Sequence, residues 1–291
     1  MSEQHQLDFT GERFTPECVR EMAYEHWHRY AWAAELVADK EVLDAACGEG
    51  YGSNLLAARA RSVTGLDIGE AAVAHARERY RRDNLQFDQG NATKLPYDDG
   101  SFDVVVSFET LEHLEAQETL LAEFRRVLRP DGFLVISSPD RKTYSDETGY
   151  DNPFHVRELY RDELESLIES SFPAFRLFGQ KLMFVSGLWS LADAQGRQFL
   201  TDEGGSVSAA SSPAYPPLYF IAVAAAEASM LPDVPGLSLY GDSEESVYRH
   251  YDDEVAKHIR AGQLLAEREA EIERLRARLA APWWRRLFGG S

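Results

Sequence analysis

The stretch Val42-Leu43-Asp44-Ala45-Ala46-Cys47-Gly48-Glu49-Gly50-Tyr51-Gly52-Ser53 reads as an apolar strand, a tight glycine turn and the start of a helix. Gly48, Gly50 and Gly52 supply conformational freedom where a ligand lies against the main chain. Asp67 follows Gly48 by nineteen residues, at the end of a second apolar run. There a βαβ unit can present a carboxylate to the hydroxyls of a ribose. Two signals in register weigh more than either alone.

The turn carries Asp44 just before it and Glu49 inside it, and it lacks the Lys-Ser/Thr end of a phosphate-binding loop. A polyphosphate is therefore a poor guest, and a cationic or zwitterionic nucleoside fits better. Further stretches follow in order: Gly65-Leu66-Asp67-Ile68, Asn91-Ala92-Thr93-Lys94-Leu95-Pro96, Asp99-Gly100-Ser101-Phe102-Asp103-Val104-Val105 and Leu128-Arg129-Pro130-Asp131-Gly132-Phe133. With them the chain resembles the class I S-adenosylmethionine-dependent methyltransferases, in their type 11 branch, over roughly residues 40 to 180.

Composition sets bounds on partners. The chain has 291 residues, of which 44% are hydrophobic, enough for a full domain plus an appendage. A net charge of −19 repels nucleic acid over most of the surface, so DNA or RNA is not expected as substrate. The two cysteines, Cys18 and Cys47, support neither a disulfide framework nor a zinc site. Met1 to Thr10 is polar and no long apolar run occurs, so a soluble cytoplasmic protein is expected, with peripheral contact at the inner membrane face as a further option.

Residues 1–40 read as an N-terminal segment and a cap helix, in which Phe9, Arg13, Phe14 and Pro16 suggest docking and Glu21 to Ala38 has helical periodicity. Residues 41–228 alternate strands and helices: a helix over Leu55 to Ala60, strands at 62–66, 85–87, 102–108, 133–137, 175–178 and 218–224, and helices at 71–82, 116–128 and 158–169. This predicts an α/β fold, a doubly wound seven-stranded sheet of the Rossmann-like methyltransferase kind, with ligands outside the carboxyl ends of the strands. Leu191 to Pro217 reads as a long loop or lid. Residues 229–291 form a C-terminal helical extension: a linker, a long charged helix over Ser243 to Ala281 and a tail containing Trp283, Trp284, Arg285 and Arg286. Leu265, Ile272, Leu275 and Leu279 fit a short heptad seam, interrupted by Arg268. Self-association, a solvated helix, and a partner or membrane-interface contact through the tail all stay open.

The resemblance implies S-adenosyl-L-methionine as cofactor. It places Asp44, Gly48 and Gly50 along the methionine portion, Asp67 on the ribose, Ile68 against adenine, Asn91 and Ala92 at the adenine amino edge, and Phe108 at the end of the fourth strand. The family's usual acid is replaced by Asn91, which can still accept through its side-chain oxygen. Arg13, His28 or Tyr30 could reach the methionine carboxylate.

Phe108-Glu109-Thr110-Leu111-Glu112-His113 puts polar groups beside the reactive methyl and differs from the Asn/Asp-Pro-Pro-aromatic run of enzymes acting on DNA amino groups. A hydroxyl acceptor needs a base as the new bond forms, and the candidates are His155 and His113, then Asp140 and Tyr144. No metal is expected, Asp98-Asp99 being read as a turn. Gly11 to Pro16, His26 to Tyr30 and the Trp/Arg tail resemble methyltransferases that accompany surface-polysaccharide synthesis, so the first reading is O-methylation of a sugar hydroxyl in a bacterial surface glycan or its precursor. A quinone- or lipid-precursor acceptor, and a non-catalytic scaffold assembling through the C-terminal helix, are the alternatives.

Overall fold

A computed structural model describes residues 21–188, 198–202, 206–213 and 215–280. The expectations for Phe9, Arg13, Phe14, Pro16 and Cys18, and for the tail from Pro282, lie outside the described residues. The chain divides into two compact units, Met1–Tyr240 and Gly241–Ser291.

In the first unit, α1 (Glu21–Leu36) precedes β1 (Glu41–Ala45), α2 (Tyr51–Leu56), β2 (Ser62–Asp67), α3 (Glu70–Arg79), β3 (Leu85–Gln89) and β4 (Phe102–Ser107). There follow α4 (Gln117–Val127), β5 (Leu128–Pro139), α5 (Arg161–Ser171), β6 (Ala174–Gln180), β7 (Phe199–Asp202), β8 (Val207–Ala210) and β9 (Tyr219–Ala225). Seven strands form one sheet in the order β3-β2-β1-β4-β5-β9-β6. Pairing is parallel from β3 to β5, and β9 runs antiparallel between β5 and β6.

The valine-rich runs are buried on both faces, as a parallel sheet covered by helices requires. Val42, Val104 and Val106 pack with Tyr30 and Ala33 of α1, Val37 just after it and Leu56 of α2. Leu43 and Val105 face the other way, onto Leu120 and Phe124 of α4 and Leu164 and Ile168 of α5. Each fully buried side chain of this size contributes about 1.5–3 kcal/mol. This double layer fixes β1 and β4 side by side, and with them the two loops that carry the site.

Three local departures from the sequence expectations have visible causes. The first helix after the turn is Tyr51–Leu56 rather than Leu55 to Ala60. Gly50, at φ 89°, turns the chain directly into it, and the Asn84 side chain donates to the Ala57 and Ala60 carbonyls just beyond its end. β5 begins five residues earlier than expected, because Arg129 is held by Asp103 and Glu41 beside the starts of β4 and β1. Part of the expected loop over 191–217 forms the antiparallel pair β7–β8, whose register runs from Phe199↔Ala210 to Asp202↔Val207.

The second unit contains α6 (Ser246–Ala280), about 52 Å long at 1.5 Å per residue. Asp242 caps it, accepting from Ser246 N at 3.1 Å. Pairs such as Glu254–Lys257 and Glu273–Arg276 decorate it, and the seam residues Leu265, Ile272, Leu275 and Leu279 are exposed. Among the described residues no helix is long and apolar enough to cross a membrane.

Candidate active site

The carboxyl end of β1 and its glycine turn are pinned to the end of β2. Cys47 N donates to Leu66 O at 2.9 Å, and Gly50 N closes the turn onto Cys47 O at 3.1 Å. Asp67 accepts Gly48 N–H on Oδ2 (2.9 Å) and Gly69 N–H on Oδ1 (2.8 Å). One lone pair on each oxygen is thereby used, and a second remains on each for a vicinal diol. Next to this fixed carboxylate stands Ile68, 70% exposed, an apolar surface suited to the flat face of a base.

Behind the turn lies a buried layer. Tyr30 of α1 donates to Asp44 Oδ1 (3.1 Å) and Ser53 donates to Asp44 Oδ2 (2.6 Å). Burial pushes the Asp44 carboxyl up to about 7, against these two hydrogen bonds, which favour the charged form. Asp44 is thus a strut under the turn, fully buried, rather than a group on its open side. Gly52 lies so close to Tyr30 that a Cβ there would fall 2.1 Å from its ring. The acid inside the turn, Glu49, is likewise buried and ties the turn to α3 through Tyr80 (2.9 Å), His75 (3.2 Å) and Arg79 (3.5 Å).

Asn91 departs from the expectation for it. Its side-chain oxygen, expected to accept from an adenine amino group, accepts from Thr93 N (2.9 Å) and Thr93 Oγ1 (2.8 Å), which occupies both lone pairs. Ala92 beside it is buried. Phe108 is buried too, its ring 5.0 Å from Tyr30.

Of the residues proposed to reach from the first helix, His28 bonds Ser238 (2.9 Å) and stacks on Tyr240, and Tyr30 is engaged by Asp44. The residue between them, Arg29, is the one whose place inside the site its sequence neighbours do not show. It is 1% exposed, pairs with Glu109 (3.3 Å), donates to Gln180 (3.1 Å) and lies 4.8 Å from the Tyr219 ring centre. Its Nε and Nη2 are buried without a hydrogen-bond partner. Burial works against its charge, and Glu109 together with Tyr219, Tyr51 and Glu25 more than compensates. The available signal was its position: an arginine on the inward stripe of α1, one turn from the buried Ala33.

Glu109 begins the second loop of the site. It holds a left-handed conformation, φ 51°, that side chains rarely adopt, at a cost of about 1–3 kcal/mol. Ser137 of β5 accepts its N–H (3.0 Å) and donates to its carboxylate (3.1 Å). A single 3-10 turn, Leu111–His113, follows. Onto it folds the segment after β5: Val156 N and Arg157 N both donate to the Glu112 carbonyl (2.8 and 3.0 Å), and Gln117 clamps the Leu111 and Arg157 carbonyls.

This fold brings three of the four base candidates together. His113 and His155 have ring centres 5.1 Å apart, and Tyr144 stacks on His155 at 5.2 Å. His155 Nδ1 lies 2.5 Å from Glu158 Oε1, and Ser145 holds the other oxygen of Glu158 (2.6 Å). His113 Nδ1 faces the Phe154 carbonyl at 2.9 Å. Burial pushes the Tyr144 hydroxyl up to about 12, which removes it as a base near neutrality. Asp140, the fourth candidate, caps the turn after β5 by accepting Lys142 N (3.2 Å). Under the histidines Glu112 is fully buried, its carboxyl pushed well above the usual range by burial and by Glu109. No metal set is apparent from sequence spacing, yet one ligand atom from each of Glu112, His113 and His155 lies within 4.8 Å of the others.

A mostly parallel seven-stranded sheet with this order, a glycine turn ending β1 and a fixed carboxylate ending β2 define the class I methyltransferase fold. Residues 43–136 match the family model described as a methyltransferase domain. A probable S-adenosylmethionine-dependent methyltransferase of Mycolicibacterium smegmatis is 45% identical over 170 residues, covering 57% of this chain and 65% of that one. The phthiotriol/phenolphthiotriol dimycocerosates methyltransferase of Mycobacterium leprae is 31% identical over 181 residues, covering 55% of this chain and 66% of that one. These alignments span just under two thirds of each relative's length. Among solved structures, an S-adenosylmethionine-dependent methyltransferase of Thermotoga maritima aligns with a TM-score of 0.50 at 17% identity, covering 70% of this chain and 90% of that one.

Proposed function

We propose that the protein is an S-adenosylmethionine-dependent methyltransferase that acts on a hydroxyl group of an apolar, lipid-type acceptor. The observation that carries the cofactor assignment is Asp67, held by two backbone N–H groups with an acceptor lone pair left on each oxygen and Ile68 exposed beside it. The donor set fits the group. Asp67 would take the ribose hydroxyls, Ile68 would lie on the base, and the backbone of Gly48 and Gly50 would run along the amino-acid portion. Arg29, with two buried N–H donors lacking partners, would take its carboxylate. When bound, the cofactor supplies an electrophilic methyl group on a sulfonium.

The chain's own residues do the remaining work by position. Glu109, locked by Arg29 and Ser137, fixes the 3-10 turn so that His113 and His155 stand together at the end of β4. In each, Nδ1 faces an oxygen acceptor, which places the proton there and the lone pair on Nε2. These two Nε2 atoms are the basic positions at which an acceptor hydroxyl would lose its proton, His155 having Glu158 to stabilise the charge it gains.

Two observations support a lipid-type acceptor. Tyr150, Phe154 and Val156, in the segment that covers the histidines, are exposed, giving an apolar rim. The M. leprae relative is named for a lipid acceptor. The sugar-hydroxyl alternative rests on Gly11 to Pro16 and on the tail, outside the described residues, and on His26 to Tyr30 of α1. The test is incubation with radiolabelled S-adenosylmethionine and fractionated acceptors. Label in the hydroxylated lipid fraction is expected. Label confined to saccharides would restore the glycan reading, and label in neither fraction would contradict methyl transfer to a hydroxyl.

A further inference from the structure

We infer that Glu112, His113 and His155 form a binding site for a divalent first-row transition metal ion, with one position left open for an oxygen ligand. Two imidazoles and a carboxylate are a donor set that suits zinc and its neighbours and leaves a coordination place unfilled. The three ligand atoms lie within 4.8 Å of one another. Ligands 2.0–2.1 Å from a tetrahedral ion stand about 3.4 Å apart, so small side-chain rotations close the set.

Two independent features point to an ion. The first is Glu112, 0% exposed, with neither carboxyl oxygen hydrogen-bonded. A buried carboxyl without partners is costly, and a cation coordinated by it removes that cost. Its place is no accident of a loose side chain, because its own carbonyl is gripped by Val156 N and Arg157 N.

The second feature is the support behind the two histidines. Metal-bound imidazoles usually donate their other N–H to a carbonyl or carboxylate, which fixes tautomer and ring orientation. His113 Nδ1 faces the Phe154 carbonyl, and His155 Nδ1 faces Glu158, itself held by Ser145. A carbonyl only accepts, so the His113 proton is on Nδ1 and its lone pair on Nε2. Both rings are therefore set as Nε2 ligands. Glu112 and His113 are neighbours in sequence and His155 is forty-two residues on, which is why spacing alone did not show the set.

Metal binding itself is independent of the methyl-transfer proposal, while the role of the open position rests on it. There the ion takes the oxygen of the acceptor hydroxyl and acidifies it, and the proton passes to solvent water. The oxygen then forms the new C–O bond as the methyl C–S bond breaks, with that electron pair remaining on sulfur. With the ion bound the two imidazoles serve as its ligands, and the acidified acceptor needs no separate base; without the ion the same Nε2 atoms keep their basic role.

The test uses the full chain, free of any affinity tag and stripped with chelator, titrated calorimetrically with Zn2+ in the absence of cofactor, and in parallel with Co2+ followed by its visible absorption. One ion per chain is expected, with binding lost in His113→Ala/His155→Ala. Glu158→Gln should keep all three ligands and weaken binding by about 10–100-fold. S-adenosylhomocysteine binding by each variant serves as the folding control, with His155→Asn as a milder substitute if the double variant fails it. Absence of a one-to-one site in the wild type, or an undiminished site in folded histidine variants, overturns the proposal. A wild type that binds S-adenosylhomocysteine and no metal refutes the metal site alone; one that binds metal and no S-adenosylhomocysteine refutes the cofactor assignment alone.

Discussion

Arg29 Nη1 and Glu109 Oε1 meet at 3.3 Å, joining the first helix to the loop that ends β4. The guanidinium is sealed from solvent, and the carboxylate is held in turn by Ser137. Through this pair α1 and the 3-10 turn of the histidines are set relative to one another.

Removing one partner of a buried pair leaves the other charge uncompensated, at a cost of about 3–5 kcal/mol. Arg29→Met should therefore lower stability by about 3 kcal/mol in a urea unfolding series. Glu109→Gln should cost less, because its side chain is partly exposed and an amide still accepts from Arg29. Equal stability of Arg29→Met and the wild type would remove the pair from the account.

Asp44 gives a pH dependence with a definite sign. Its folded-state value is pushed up to about 7 by burial, whereas an unfolded aspartate titrates near 4. Between these values the native state holds a proton that the unfolded state has lost, so this contribution is complete below about pH 4 and disappears as the pH rises through about 7. The full effect is on the order of 4 kcal/mol. Asp44→Asn cannot ionise, so its stability relative to wild type should improve steadily from pH 4 to pH 8. Parallel melting curves for the two across that range would contradict the buried strut.

At Gly52 the contact with Tyr30 leaves no room for a methyl group. Gly52→Ala must displace the ring that also donates to Asp44, and a cost of about 1–3 kcal/mol is expected from overpacking. Tyr30→Phe keeps the ring and loses only the hydroxyl, at about 1 kcal/mol. Thermal melting of the two variants should rank them in that order.

Much of this was readable from residue order. The glycine turn and Asp67 predict the first βαβ unit because both belong to one local geometry, and the valine run 102–108 announces a strand buried on both faces. The first helix after the turn starts earlier than its alanine-rich stretch predicts, because Gly50 turns the chain directly into it. β7 and β8 were missed for another reason: their residues are exposed or half-buried, and the stretch containing them is rich in Ser, Ala, Gly and Pro, without apolar alternation. At the site, His113 and His155 were each visible as polar residues near strand ends. Their meeting was not, since it depends on the segment after β5 folding back to bond the Glu112 carbonyl. Arg29 and Glu112 stand in polar runs without a role of their own, because a charge looks the same in sequence whether it lies inside or outside.

The central claim is that Asp67 and the turn beside it bind S-adenosylmethionine. Calorimetric titration of wild type and Asp67→Ala with S-adenosylmethionine and S-adenosylhomocysteine tests it most directly. Wild type should bind with micromolar affinity, about −8 kcal/mol. Asp67→Ala, with unchanged circular dichroism, should show no measurable heat. A folded wild type that binds neither compound, or a variant that binds both as well as wild type does, would contradict the assignment.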